Sequence, residues 1–253
     1  MRDSLDSEVQ NPERFAPPVQ AVLLDAAGTL IRPRESVGVT YAAAARRFGA
    51  ELDPDKLSQT FFQVLGDMPD LAFAWSSTEE LYRLEQDWWR DLMRRVLDLT
   101  GSRIGDFDSF FEKLLHHYAQ GEAWECFPDV LPALRALRTR GCRLAVESNF
   151  DSRLPGILRG LGIWNHMDAI VYSSEAGSAK PDPAIFRRAL ALLDVTPGQA
   201  IHVGDSAEAD LDGAVATGIE GLLIRRGDAP AIGSASVIRS LEELPSRIGY
   251  GDH

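Results

Sequence analysis

The sequence predicts an α/β protein, a Rossmann-like parallel sheet core with an inserted helical cap subdomain. Two patterns carry this. Short apolar runs recur at 21–25 (AVLLD), 143–148 (RLAVES), 169–173 (AIVYS), 200–205 (AIHVGD) and 221–225 (GLLIR), and each of the later ones follows a helical stretch. Continuous apolar runs alternating with helices imply parallel strands covered on both faces. Between Arg32 and about Cys126 the strand pattern disappears and helical spacing takes over.

Taken in order, residues 1–18 are polar and of mixed charge, with no apolar stretch after a basic start, so they are expected to form a disordered tail and not a secretory signal. The core is expected over 19–32 and 126–253, with the helical cap over 33–125. Within the cap, Leu81, Leu84, Trp88, Leu92, Val96 and Leu99 fall three and four apart, one apolar stripe on a long amphipathic helix. Shorter helical patterns occupy 38–48, 54–66 and 107–119. Trp88 reads as core and Trp75, in the loop AWSST, as the better candidate to line a pocket. After the second strand, Asp151 is placed to cap a helix that runs through Leu161 and closes at Gly162. Asp182-Pro183 supplies a cap and a first-turn proline for the helix AIFRRALALLDV.

Composition removes several functions. With 26 basic against 38 acidic residues the net charge is −12, which opposes binding to phosphate backbones. Nucleic acid is therefore not an expected partner. No apolar run approaches the ~20 residues that span a bilayer. Cys126 and Cys142 are too few and too far apart for a disulfide framework or a metal knuckle, so they read as buried thiols in a reducing cytoplasm. The pair His116-His117 has no second ligand cluster at zinc spacing and reads as a solvated helix end.

Chemistry is expected where the strands stop. Asp25 ends the first strand, Ser148-Asn149 the second and Asp205-Ser206 the fourth, while Lys180 lies in the loop SAKPDP after the third. In open α/β sheets these carboxyl ends form the ligand rim. An attacking carboxylate needs its repulsion from a phosphoryl group offset, so a divalent cation and a lysine belong beside it. Asp205 and Asp210 can hold the cation, and an oxygen-only set suits magnesium. Lys180 is one of three lysines among the 26 basic residues, with Lys56 and Lys113.

In order and context, DAAGTL, SNFD, AKPDPAIF and GDSAEAD resemble the four motifs of the haloacid dehalogenase-like hydrolase superfamily, and the likeness runs from residue 20 to about 225. Within it, RTRGCRLAVESNFDSRLPGILRGLG and SEAGSAKPDPAIFRRAL look most like the subgroup called haloacid dehalogenase-like hydrolase domain-containing protein 3. The resemblance implies a Mg²⁺-dependent hydrolase, with Asp25 the nucleophile that forms an aspartyl-phosphate. Ser148 and the backbone at Asn149 would bind the phosphoryl group, with Gly28 and Thr29 also on the substrate side, and Lys180 would orient the group and balance its charge. Asp25, Asp205, Asp210 and the backbone carbonyl of Ala27 would hold the metal. The expected substrate is a small phosphorylated molecule.

One position departs from the pattern. Phosphatases of this family read D-x-D-G-T, and the second Asp protonates the leaving oxygen, whereas this chain has Ala27. Such help is typically worth ~10²–10⁴ in rate. Three readings stay open: a slow or specialised phosphatase whose substrate has a good leaving group or whose acid comes from the cap or the substrate, a 2-haloacid dehalogenase, and a binding module that has lost turnover. The dehalogenases replace the acid at the position of Asp205 with serine and work without metal, and phosphonoacetaldehyde hydrolase, which shares the alanine, needs a reactive cap lysine. Glu147 is no replacement, because strand alternation turns it away from the face of Ser148. It is expected to pair structurally, with an arginine.

Overall fold

The computed structural model describes residues 19–227 and 237–248, so the expected N-terminal tail lies outside the described residues. Strand β1 (Ala21–Leu24) is buried throughout, as its unbroken apolar sequence requires, and sits at the centre of the sheet. The short strands β2 (Ile31–Pro33) and β3 (Trp124–Cys126) pair antiparallel, Ile31 opposite Cys126, and bracket a helical region. That region contains α1 (Val37–Arg46), α2 (Pro54–Asp67), α3 (Thr78–Thr100) and α4 (Phe107–Tyr118). The chain continues through α5 (Val130–Thr139), β4 (Arg143–Ser148), α6 (Leu154–Gly160), β5 (Ala169–Tyr172), α7 (Ser173–Ala176), α8 (Pro183–Leu193) and β6 (Ala200–Gly204). A π-helical stretch over Ala207–Asp212 leads into α9 (Gly213–Thr217), then β7 (Glu220–Ile224), β8 (Val237–Ile238) and α10 (Leu244–Arg247).

The six strands of the main sheet stand in the order β5-β4-β1-β6-β7-β8, and every pairing is parallel. This is the doubly wound order, and its switch point falls between β1 and β6, where helices leave to opposite faces and open a crevice at the strand ends. Leu134, Leu137, Leu154, Ile157 and Leu158 fill one face of the sheet, and Ile185, Phe186, Ala189 and Leu190 the other. The α/β core read from the sequence is the observed one. β8, two residues long, has too little sequence to announce itself.

The four helices between β2 and β3 share an apolar cluster of their own, in which Tyr41, Phe61, Leu92, Val96, Phe110 and Phe111 meet. Here three sequence expectations are corrected. The strand pattern does not vanish at Arg32, because β2 and β3 form the ribbon at which the helices enter and leave; three residues each is below what periodicity detects. The stripe on α3 holds at Leu81, Trp88, Leu92 and Val96, with Glu85, Met93 and Leu97 also buried, but it does not extend to Leu99, which is 61% exposed. The helix ends at Gly101, with φ +70°, and Leu99 lies in the last turn beyond reach of its neighbours. Finally, Asp151 does not cap α6, which begins three residues later. Its carboxylate closes a turn ahead of the helix, accepting from the Arg153 backbone N–H at 3.0 Å, and also accepts from Arg153 Nε at 2.8 Å and from Trp89 Nε1 at 2.6 Å. The cap at Asp182 does form, to the Ala184 N–H at 2.9 Å.

The end of the stripe makes a direct prediction. Leu92→Ala costs about 2–5 kcal/mol in denaturant unfolding, whereas Leu99→Ala stays within about 0.5 kcal/mol; equal losses at the two positions contradict the assignment.

Candidate active site

Asp25 follows β1 directly, so its carboxylate stands at the carboxyl edge of the central strand, 6% exposed. The turn beyond it closes through Ala26, whose carbonyl accepts from Leu30 and Ile31, and through Gly28, whose N–H donates to Ile31. The carbonyl of Ala27 takes no part in that closure, and Ala27 itself is exposed. Gly28 has φ +88°, and a Cβ there would lie 2.2 Å from Asp205 Oδ2. Glycine is therefore required twice, by the backbone and by the carboxylate that leans over it.

The centre of the site is the Lys180 ammonium. Its Nζ donates to Asp25 Oδ1 at 2.7 Å, to Asp210 Oδ1 at 2.6 Å and to the Glu147 carbonyl at 3.0 Å, which uses all three hydrogens. Ser148 donates to the same Asp25 Oδ1 at 3.0 Å. Asn149 does something that the sequence did not indicate: its amide grips the Lys180 backbone both ways, Nδ2 to the Lys180 carbonyl at 2.9 Å and Oδ1 from the Lys180 N–H at 2.7 Å. Thr29 is fully buried, its hydroxyl without a partner among the described residues, and its carbonyl accepts from Arg226 at 2.5 Å.

The acids respond to their common cation in different ways. Burial pushes the Asp25 carboxyl up to about 6, against the pull of Lys180. Burial works on Asp210 too, but Lys180 and His202 overcome it and hold that carboxyl well below the usual range. Lys180 loses to burial what its three neighbours Asp25, Asp210 and Glu147 more than return, so the ammonium stays charged. Burial, then the nearby Asp210 charge, raise Asp205. Carboxylate oxygens of Asp25, Asp205 and Asp210 lie within 4.8 Å of one another. With the Gly28 cradle, this oxygen-only donor set fits a small hard divalent cation.

Two groups escaped the sequence reading, and a third has a partner other than the one expected. His202, in the middle of buried β6, sets Nε2 3.0 Å from Asp210 Oδ1. A histidine within a wholly apolar run was the available signal. Glu147 does turn away from the face of Ser148, but its neighbour is not an arginine: His202 Nδ1 lies 3.8 Å from Glu147 Oε2. Burial pushes the Glu147 carboxyl up to about 8. The other missed group is Glu85 of α3, which accepts from the Ser152 N–H at 3.0 Å, from the Ser152 hydroxyl and from the Ser174 hydroxyl at 2.5 Å. One turn on, Trp89 meets Asp151, so α3 docks onto the loop that begins at Ser148-Asn149. Trp75, the candidate to line a pocket, donates its indole N–H to the Glu175 carbonyl at 3.1 Å, another joint of the same kind.

Comparison with known proteins agrees with this geometry. A family model described as haloacid dehalogenase-like hydrolase matches residues 19–218. This chain is a haloacid dehalogenase-like hydrolase. It is 34% identical to haloacid dehalogenase-like hydrolase domain-containing protein 3 of Danio rerio, over 92% of this chain and 98% of that one. Identity with the Homo sapiens protein of that name is 35%, over 81% and 82% of the two chains. Among solved structures, a HAD phosphatase from Thermococcus onnurineus superposes with a TM-score of 0.64 at 25% identity, covering 92% of this chain and 99% of that one. An L-2-haloacid dehalogenase from Xanthobacter autotrophicus shares the fold, with a TM-score of 0.65 at 19% identity over 90% and 97% of the chains.

Removing the shared cation leaves Asp25 and Asp210 facing each other uncompensated. Lys180→Met is therefore expected to cost roughly 3–5 kcal/mol in denaturant unfolding at neutral pH. Without Lys180 the folded pKa of Asp25 rises further above its ordinary value, so the variant binds protons more tightly folded than unfolded, and the deficit shrinks as pH falls. A deficit independent of pH contradicts the electrostatic account.

Proposed function

We propose that this hydrolase is a Mg²⁺-dependent phosphatase that acts on a small phosphorylated molecule through Asp25. The observation that carries the reading is the convergence on Asp25 of Lys180, Ser148 and the two acids Asp205 and Asp210, which supplies an attacking carboxylate, a fixed positive charge and a cation site within one buried corner.

Lys180 and Ser148 both hold Oδ1, which leaves Oδ2 of Asp25 to attack phosphorus. The Oδ2–P bond forms as the ester P–O bond breaks, and the leaving oxygen departs with the electron pair. Ser148 and the exposed backbone at Asn149 receive the transferred group beside the Gly28-Thr29 turn, and Lys180, fixed by the Asn149 amide, balances its charge. Water then attacks phosphorus, releasing phosphate and Asp25. Asp25, Asp205, Asp210 and the Ala27 carbonyl would hold Mg²⁺, which when bound supplies Lewis-acid charge stabilisation to phosphoryl oxygens.

Ala27 has no proton to give, so the leaving group must manage without one. An acyl or aryl phosphate meets that condition, because its oxygen departs as a weak base. The same alanine favours a second reading, a metal- and phosphate-binding member without turnover. The retained Asp205 speaks against dehalogenase chemistry, and likeness to dehalogenase structures below 25% identity concerns the fold. We take residues 33–125 as the cap that selects the substrate. The free thiols of Cys126 and Cys142 support a reducing, cytoplasmic setting.

With an aryl phosphate as substrate, phosphate release is expected with Mg²⁺ and absent with chelator, and Asp25→Asn abolishes it. Release that survives that substitution, or no release at all, removes the phosphatase reading; halide release from 2-chloropropionate under chelation restores the dehalogenase. Because Asp25 must be ionised and its folded pKa is about 6, turnover rises with pH through that region, and saturating Mg²⁺ moves the limb to lower pH by favouring the carboxylate. Ala27→Asp, at an exposed position with room for a side chain, raises the rate on alkyl phosphates by about tenfold or more, measured as kcat.

A further inference from the structure

We propose that Glu147 and His202 form a buried positioning pair that aims the Asp210 carboxylate at the divalent cation. The inference rests on the metal reading above and adds to it two residues that contact neither cation nor substrate.

The geometry begins with Asp210. Its Oδ1 accepts from Lys180 Nζ at 2.6 Å and lies 3.0 Å from His202 Nε2, while Oδ2 accepts from the Ser206 N–H at 2.9 Å. A carboxylate offers about four lone-pair directions. With three taken, rotation is blocked at both oxygens and the remaining direction belongs to Oδ2. The backbone makes room for that oxygen, since a Cβ on Gly204 would lie 2.2 Å from it. An ionised Asp210 only accepts, so Nε2 of His202 carries the hydrogen.

The opposite side of the imidazole is the unusual part. Nδ1 faces Glu147 Oε2 at 3.8 Å, and among the described residues Nδ1, Oε1 and Oε2 are all buried without a hydrogen-bond partner. Buried polar atoms without partners are rare in folded proteins, and three directed at one another invite a functional account. Strand register explains the meeting. Leu23 of β1 pairs with Ala145 on one side and His202 on the other, and Glu147, two residues past Ala145, projects from the same face as Ala145. The Phe186 ring packs edge-on against the imidazole at 5.1 Å, and the Glu147 carbonyl is held by Lys180 at 3.0 Å. Glu147 thus enters the cluster twice, through its backbone to Lys180 and through its side chain to His202. These two then approach Asp210 Oδ1 together. Without His202 that oxygen is tethered by Lys180 alone, and Oδ2 is no longer fixed in direction. Partners that orient metal-ligating groups commonly carry large effects on affinity although they never touch the ion.

The test is calorimetric titration of the full chain with MgCl₂, without substrate, for wild type, His202→Phe, Glu147→Leu and Glu147→Gln. His202→Phe and Glu147→Leu are expected to bind Mg²⁺ roughly 10–100-fold more weakly, and Glu147→Gln, whose amide still presents a polar group to Nδ1, to stay close to wild type. A purely structural role lowers the metal-free melting temperature and leaves Mg²⁺ affinity unchanged, so wild-type affinity in folded His202→Phe or Glu147→Leu overturns the proposal. If His202→Phe does not fold, His202→Leu tests the same loss, and wild-type Mg²⁺ affinity in it likewise overturns the proposal. Wild-type protein that takes up no Mg²⁺ overturns the metal reading together with this one, whereas uptake that no substitution alters overturns this one alone.

Discussion

The buried ammonium of Lys180 is the constraint around which the rest of the site is arranged. An isolated charge in such a position would be expelled or neutralised, at a cost of several kcal/mol. It stays because three acceptors from three segments, Asp25 after β1, the Glu147 carbonyl of β4 and Asp210 after β6, consume its three hydrogens. Each of those acceptors in turn depends on the lysine. The cluster therefore ties together the ends of the three central strands, and its chemistry and its stability have the same origin.

Position in the sheet explains why the cluster forms here. At the switch point between β1 and β6 no helix covers the strand ends, and Asp25 and Asp205 emerge on its two sides. Glycine is needed twice, at Gly28 under Asp205 and at Gly204 under Asp210, because carboxylates approach backbone more closely than a Cβ allows. Away from the charges, the helical region is tied to the core by polar contacts from one face of α3. Glu85 and Trp89, one turn apart, grip Ser152, Ser174 and Asp151 in the loop that starts at Ser148-Asn149 and at the end of β5. Whatever reaches Ser148 and Asn149 meets a loop whose shape is held by that helix.

Much of this was legible in the order of residues. Five of the six sheet strands stand where apolar runs predict them, because a parallel strand buried on both faces must be apolar at every position. The rim acids and the lysine were legible because polar side chains at the ends of such runs have few structural uses. The Leu99 assignment failed since periodicity ignores where a helix outruns its neighbours, and Asp151 failed as a cap since its carboxylate closes a turn onto Arg153 before the helix begins at Leu154. Asn149 was read for its backbone alone; its amide proves to be the brace of Lys180.

By itself the sequence determined the α/β class, the four segments that meet at the rim and the absence of a side-chain acid at Ala27. Those are local properties, set by period, by strand ends and by the identity of one residue. Only the tertiary structure decided which acid shares the lysine, where Glu147 points and that His202 stands between two carboxylates. Residues 147 and 180 are separated by crossovers of the chain from the neighbouring pair 202 and 210, and hydrogen-bond partners across neighbouring strands depend on register and sheet order, which periodicity along one strand does not encode.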